Sequence, residues 1–207
     1  SVTASCGRWP VVTPKSEMVW TRRHSRRFWL IALALLWTLL ASLPAAADNT
    51  DRFVGTVMFM RHALAPGMGD PDNFSINDCN TQRNLDDTGR AQARAIGTKL
   101  AAANINFSAI YSSYWCRCLE TAQLLGLGAV TPFDGLNSFF QNHAPRDATL
   151  AKLHQKLESL SPSAPVSLMV THAVTIRAIT GLSVASGGVV IYDLKTGAAR
   201  ELALSSL

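Results

Sequence analysis

Short, nearly unbroken apolar runs recur at residues 53–60, 107–111, 126–131 and 166–171. Their lengths suit strands, and their lack of polar alternation predicts strands covered on both faces. Between them the period changes. Residues 87–103 read as a helix, capped by Asp87 or Thr88 and carrying Ala91, Ala95, Ile96 and Leu100 on one face. Further helices are expected over 115–125, 147–160 and 174–180, and a closing hairpin over 188–194 and 199–204 around Lys195-Thr196-Gly197. Residues 63–83 and 135–146 are irregular, and the first of these is long enough to suggest a working loop. Strand–helix alternation of this kind predicts an α/β fold: a mostly parallel central sheet with helices on both faces. In such sheets ligands gather at the carboxyl ends of the strands.

Charge divides the chain near residue 48. Residues 1–47 hold six of the 19 Lys and Arg and one of the 14 Asp and Glu, so the remainder is net neutral. The high overall pI therefore gives no reason to expect nucleic-acid binding. The basic segment reads as an export signal. Arg22, Arg23, Arg26 and Arg27 precede an apolar stretch over 28–43, then Ala45-Ala46-Ala47 before Asp48. Met18 is the natural initiator, which makes 1–17 an upstream extension, 18–47 the signal and 48–207 one domain. A periplasmic location follows, with an uncleaved membrane anchor as the alternative; membrane contact is expected only through that segment. Ser25-Arg26-Arg27-Phe28-Trp29-Leu30 also resembles a twin-arginine signal.

Export permits disulfides. Of Cys79, Cys116 and Cys118, the last two lie two apart on an expected helix and face different ways, so at most one can meet Cys79. Three unpaired thiols is the alternative. No cysteine or histidine spacing suggests a metal site, and no cofactor is expected.

The candidate chemistry lies at predicted strand ends. Arg61-His62 closes the first apolar run, Ser112-Ser113 leads to Arg117, and His172 closes the run at 166–171. A neutral imidazole attacks phosphorus well. A phosphate monoester also needs its oxygens held, and arginine supplies fixed, charged, bidentate donors. His62, Arg61, Arg117 and His172 are therefore the expected catalytic set, with Arg61, Arg117 and His172 gripping the substrate's phosphoryl oxygens.

These residues, with their neighbours, resemble the histidine phosphatase superfamily, also called phosphoglycerate mutase-like. Arg61-His62-Ala63 stands for its R-H-G motif, followed by Leu85, Gly89, Gln92 and Ala93. Ser112, Ser113, Arg117, Thr121 and Ala122 match a second motif, and Val170-Thr171-His172 the late histidine. The resemblance implies a three-layer α/β/α sandwich and a phosphohistidine formed on His62. It also exposes a gap. One branch carries a glutamate after leucine-asparagine beyond the third strand, where Ser138 follows Leu136-Asn137; the other has aspartate after the second histidine, where this chain has Ala173.

A general acid contributes about 10²–10⁴-fold to rate, so its place matters. Asp147 is the first substitute, its competing role being a helix cap, and Asp70, Asp72 and Asp78 follow, as turn formers or acids. His143 and His154 read as solvent-facing, and Arg83 as a solvated arginine or as one that reaches an anionic substrate from the first loop. Phe139-Phe140 either lines a substrate mouth or anchors its loop.

Loop phrases such as Trp115-Cys116-Arg117-Cys118 and Leu136-Asn137-Ser138-Phe139-Phe140 resemble an exported bacterial branch acting on lipopolysaccharide core heptose phosphate. The resulting expectation is a periplasmic phosphomonoesterase acting on a small-molecule or glycan phosphate, with a noncatalytic phosphate- or glycan-binding protein as the alternative.

Overall fold

The computed structural model describes residues 51–207. The expected upstream extension and signal, with its cleavage site at 45–48, lie outside the described residues. No helix among the described residues is long and apolar enough to cross a membrane.

Six strands form one sheet in the order β3-β2-β4-β1-β5-β6. They are β1 (Thr56–Arg61), β2 (Ala109–Ser112), β3 (Val130–Pro132), β4 (Ser167–Thr171), β5 (Val189–Asp193) and β6 (Ala199–Leu202). The first four run parallel, and β5 and β6 add antiparallel. Among the described residues four α-helices pack on them: α1 (Asp87–Ala102), α2 (Cys116–Leu124), α3 (Arg146–Ser159) and α4 (Ala173–Thr180).

Successive residues of a strand face opposite ways, so a strand covered twice must be apolar throughout. In β1, Met58 and Met60 join a core with Ile96 and Leu100 of α1 and Cys118 and Ala122 of α2. Val57 and Phe59 join the opposite core with Leu153 and Leu157 of α3 and Ile176 of α4. These two cores, one on each face, make the three-layer α/β/α fold.

Boundaries depart from the sequence reading for local reasons. Asp86, not Asp87 or Thr88, caps α1; its carboxylate accepts from Gly89 N at 2.7 Å. Gly89, Ala93, Ile96, Gly97 and Leu100 form the buried stripe, while Ala91 and Ala95 are exposed. The third strand starts only at Val130, because Gly126 and Gly128 take positive φ and turn the chain before it. Helix α3 begins one residue before Asp147, and Pro145 occupies the cap position without a side-chain bond.

Candidate active site

The order β2-β4-β1 places three strand ends side by side. His62 N donates to Thr171 O (2.9 Å), and Ser113 N donates to Val170 O (3.0 Å), so the residues just beyond β1 and β2 are stitched to the end of β4. His62 and His172 leave adjacent strands with ring centroids 5.6 Å apart. Arg61 ends β1 and Arg117 sits in the first turn of α2. All four line one cavity of about 310 Å³, with Gly67, Met68, Gly69, Arg83, Ser138, Phe140, Ala173 and Val174 completing its wall.

His62 is held in one tautomer. Its Nδ1 lies 2.7 Å from Ala63 O. A carbonyl only accepts, so Nδ1 carries the proton and Nε2 keeps a free lone pair. Burial, then the charge of Arg117, pushes its pKa down to about 3, with Arg83 and Arg61 adding to the effect. The ring is thus neutral at physiological pH. His172 is likewise held well below the ordinary histidine value by burial and by Arg117. Its Nε2 lies 2.9 Å from Ser113 Oγ. Behind it, the buried thiol of Cys118 stands 3.4 Å from Nε2, and burial pushes its pKa up to about 12.

The backbone beyond His62 is pinned from three sides. Ala63 N donates to Thr121 Oγ1 (3.0 Å), and Leu64 N donates to Gln92 Oε1 (2.8 Å). Helix α1 meets Leu64 at Gly89, where an added Cβ would stand 1.9 Å from Leu64 O. Gln92 Nε2 reaches on to Ser186 O (2.9 Å). The motif residues outside the pocket therefore act by fixing where His62 points.

The guanidinium groups are only partly satisfied. Arg61 Nη1 donates to Val184 O (3.0 Å), while its Nε is buried without a partner. Arg117 spends Nη1 and Nη2 on Asp70, at 2.7 and 3.2 Å, and its Nε is also buried and unpartnered. Buried N–H groups are rarely left unpaired. Arg61, Arg83 and Arg117 on one cavity wall, beside a neutral imidazole lone pair, suit a bound oxyanion.

Asp70 is the residue whose role the sequence did not show. Besides Arg117, it accepts from Trp115 Nε1 (3.0 Å) and Arg83 N (3.0 Å). Burial works against its charge, yet hydrogen bonds from Arg117 and Trp115 and the charge of Arg117 hold it below the usual carboxylate range. It is a fixed anion and not a proton donor. The available clue was the first loop's length, which lets it return over the strand ends, where a buried arginine needs a counter-charge.

Of the two readings of Arg83, the structure favours the one that brings it to the site. It lies on the cavity wall, its Nε donating to Gly69 O at 2.7 Å and its Nη1 to Ala65 O. Asp147 is not on that wall; its side chain is 95% exposed and pairs with Arg146. His154 is exposed as expected. His143 is not solvent-facing: it is half-buried and packs on Phe74 at 4.2 Å between ring centroids. Phe140 lines the cavity, whereas Phe139 lies under Arg146. Cys79 pairs with Cys116, tying the first loop to the start of α2, and Cys118 is free. Among the described residues no group of three or more His, Cys, Asp or Glu is placed to hold a metal ion.

Residues 57–139 match the family model described as the histidine phosphatase superfamily (branch 1). A search of curated protein sequences found no match. Among solved structures, the chain is similar to the open reading frame Rv3214 of Mycobacterium tuberculosis, with 17% identity, 72% of this chain and 95% of that one covered, and a TM-score of 0.53. It is also similar to TTHB049 from Thermus thermophilus, with 18% identity, 72% and 99% coverage, and a TM-score of 0.50. At these identities the likeness concerns the fold.

Proposed function

We propose that this chain belongs to the histidine phosphatase superfamily, whose model matches residues 57–139, and is a phosphomonoesterase that works through a phosphohistidine on His62. The observation that carries the reading is that His62 shares one cavity wall with three arginines. Its Nδ1–H is committed to Ala63 O, so Nε2 is free, and Arg61, Arg83 and Arg117 line the same cavity.

In this mechanism the two arginines hold the non-bridging oxygens of the phosphoryl group and His172 adds a polar contact. Nε2 of His62 attacks phosphorus. A P–N bond forms as the P–O bond to the leaving group breaks, and that oxygen keeps the electron pair. Water then attacks the phosphohistidine, the P–N bond breaks, and inorganic phosphate leaves. Positioning and electrostatics supply the catalysis.

The reading extends to an exported, periplasmic enzyme, supported by the basic, apolar and small-residue succession over 22–48. The Cys79–Cys116 disulfide supports it as well, since such bonds persist in oxidising compartments. By resemblance a sugar phosphate such as lipopolysaccharide core heptose phosphate is a candidate substrate. The test is phosphoenzyme trapping. Brief exposure to a labelled, activated phosphomonoester should give an acid-labile adduct that is absent in His62→Ala. Phosphate binding with no adduct and no turnover would instead favour the noncatalytic binding protein.

A further inference from the structure

We infer that the pocket serves an apolar, weakly basic leaving group, which makes its substrate class the aryl phosphate monoesters; this rests on the phosphohistidine reading above. Two independent observations lead there, one from the mouth of the cavity and one from the fate of the departing oxygen.

The mouth is apolar. Five large hydrophobic side chains are exposed among the described residues, and four of them, Leu64, Met68, Tyr114 and Phe140, stand on the loops at the catalytic end of the sheet. Met68 is 89% exposed and Phe140 45%, and both are on the cavity wall with Ala173 and Val174. Scattered exposed hydrophobics carry no meaning, but a cluster at a pocket does. The polar side chains of the wall are Arg61, Arg83, Arg117, His62, His172 and Ser138. None of the described residues on the wall brings a carboxylate or a side-chain amide. Guanidinium groups donate and cannot accept. A sugar ring would bring several hydroxyl donors, and each one buried without an acceptor costs about 1–3 kcal/mol. An aryl ring brings none, and it can pack against Phe140 and the Met68 thioether. The cavity, about 310 Å³, has room for a phosphoryl group and one ring.

The departing oxygen meets no acid. Ser138 and Ala173, at the two positions where a proton donor was sought, are both on the wall. Asp70 is committed to Arg117, and His172 is held neutral. An alkoxide is about as basic as hydroxide, whose conjugate acid has a pKa of about 15.7, so it must be protonated as it leaves. A phenolate, with a conjugate-acid pKa of about 10, can leave as the anion and take its proton from solvent afterwards. Without a general acid, alkyl and sugar esters forfeit about 10²–10⁴-fold, while aryl esters lose little. The wall and the chemistry thus point away from the sugar phosphate expected from the loop phrases.

The test compares kcat/KM of the purified protein for phenyl phosphate, a phosphotyrosyl peptide, a hexose 6-phosphate and glycerol phosphate. Phenyl phosphate or the peptide should exceed both alkyl esters by at least about 10², and the better of the two shows whether the ring is presented free or on a chain. Rates across substituted phenyl phosphates should climb steeply as the phenol pKa falls. Phe140→Ala should raise KM for phenyl phosphate several-fold with inhibition by inorganic phosphate unchanged. A hexose or glycerol phosphate turned over as fast as phenyl phosphate, with the phosphoenzyme still forming, would overturn the aryl assignment alone. No phosphoenzyme even from 2,4-dinitrophenyl phosphate would overturn the phosphohistidine reading and this inference with it.

Discussion

Asp70 and Arg117 form a forked ion pair in which both side chains are almost wholly enclosed, 3% and 4% exposed. The fork occupies Nη1 and Nη2 and leaves Nε unpartnered. Asp70 therefore sets the rotation of the guanidinium about its long axis, and the Trp115 indole and Arg83 backbone hold the carboxylate in turn. Asp70→Asn keeps the shape and removes the charge. We expect kcat/KM to fall about 10–100-fold, with weaker inhibition by phosphate, because Arg117 is no longer aimed. Asp70→Ala strands a buried cation and should cost about 3–5 kcal/mol. Steady-state kinetics and urea unfolding of the two variants check this; wild-type kinetics in Asp70→Asn would show that Arg117 is placed by other contacts.

The Cys79–Cys116 bridge joins the loop that carries Asp70 to the helix that carries Arg117, across 37 residues of sequence. Closing a loop of that size stabilises by about 3–4 kcal/mol through the unfolded state. Alkylation in denaturant without reductant should label one thiol of the 48–207 segment, Cys118. A Cys79→Ser/Cys116→Ser double variant should melt lower and lose phosphate affinity. Three labelled thiols would remove the bridge.

Gly89→Ala tests how His62 is aimed. The new methyl would stand 1.9 Å from Leu64 O, with the rest of the Leu64 backbone behind it. Either α1 or the segment after His62 must move. Helix propensity alone would favour alanine by about 1 kcal/mol. A net loss of stability together with a kcat decrease of tenfold or more would show that close packing decides; a more stable, fully active variant would refute it.

Much of the fold was readable because strands buried on both faces leave little freedom in composition. The runs ending at Met60 and Thr171 became β1 and β4, and the alternation gave the layers. The face of α1 was misread for a physical reason: glycines at 89 and 97 are buried where α1 meets the carbonyls of Leu64 and Leu125, so the closest packing is where side chains are absent. His62, Arg61, Arg117 and His172 were expected together because each ends a strand or follows one, and the topology alone brings strand ends into contact. The role of Asp70 escaped, and Arg83 stayed ambiguous, because their positions depend on how the loop over 63–83 folds back, through contacts distant in sequence such as Asp70 N to Gln141 Oε1 at 2.7 Å. Asp147, chosen for its place after a loop, faces solvent.

Stability should fall on mild acidification because both site histidines are buried neutral. The His62 pKa, about 3 when folded, lies below its ordinary value of 6.5. The unfolded chain therefore binds more protons between these values, and the stability that neutral His62 contributes is complete above about pH 6.5 and lost as pH falls. At pH 5 the loss from His62 alone is about 2 kcal/mol. His172 adds in the same direction. Asp70, whose pKa is depressed, loses its contribution only below the ordinary carboxylate range. Urea unfolding at pH 7.5 and pH 5 should show the decrease in the wild type and a smaller one in His62→Asn; equal slopes would place the acid sensitivity elsewhere.

Ala173 offers a way to return the missing acid. It is half-buried on the cavity wall and opens α4 directly after His172. A carboxylate in the first turn of a helix is favoured by the unpaired N–H groups there, so Ala173→Asp should fold. If departing alkoxides are unprotonated in the wild type, this carboxyl should raise kcat/KM for glycerol phosphate by tenfold or more and leave that for phenyl phosphate within about threefold. The gain should vanish as pH rises through the new carboxyl's pKa, since only its protonated form can donate. An equal change for both esters would mean that the added charge acts on binding, and that proton supply does not separate the two substrate classes.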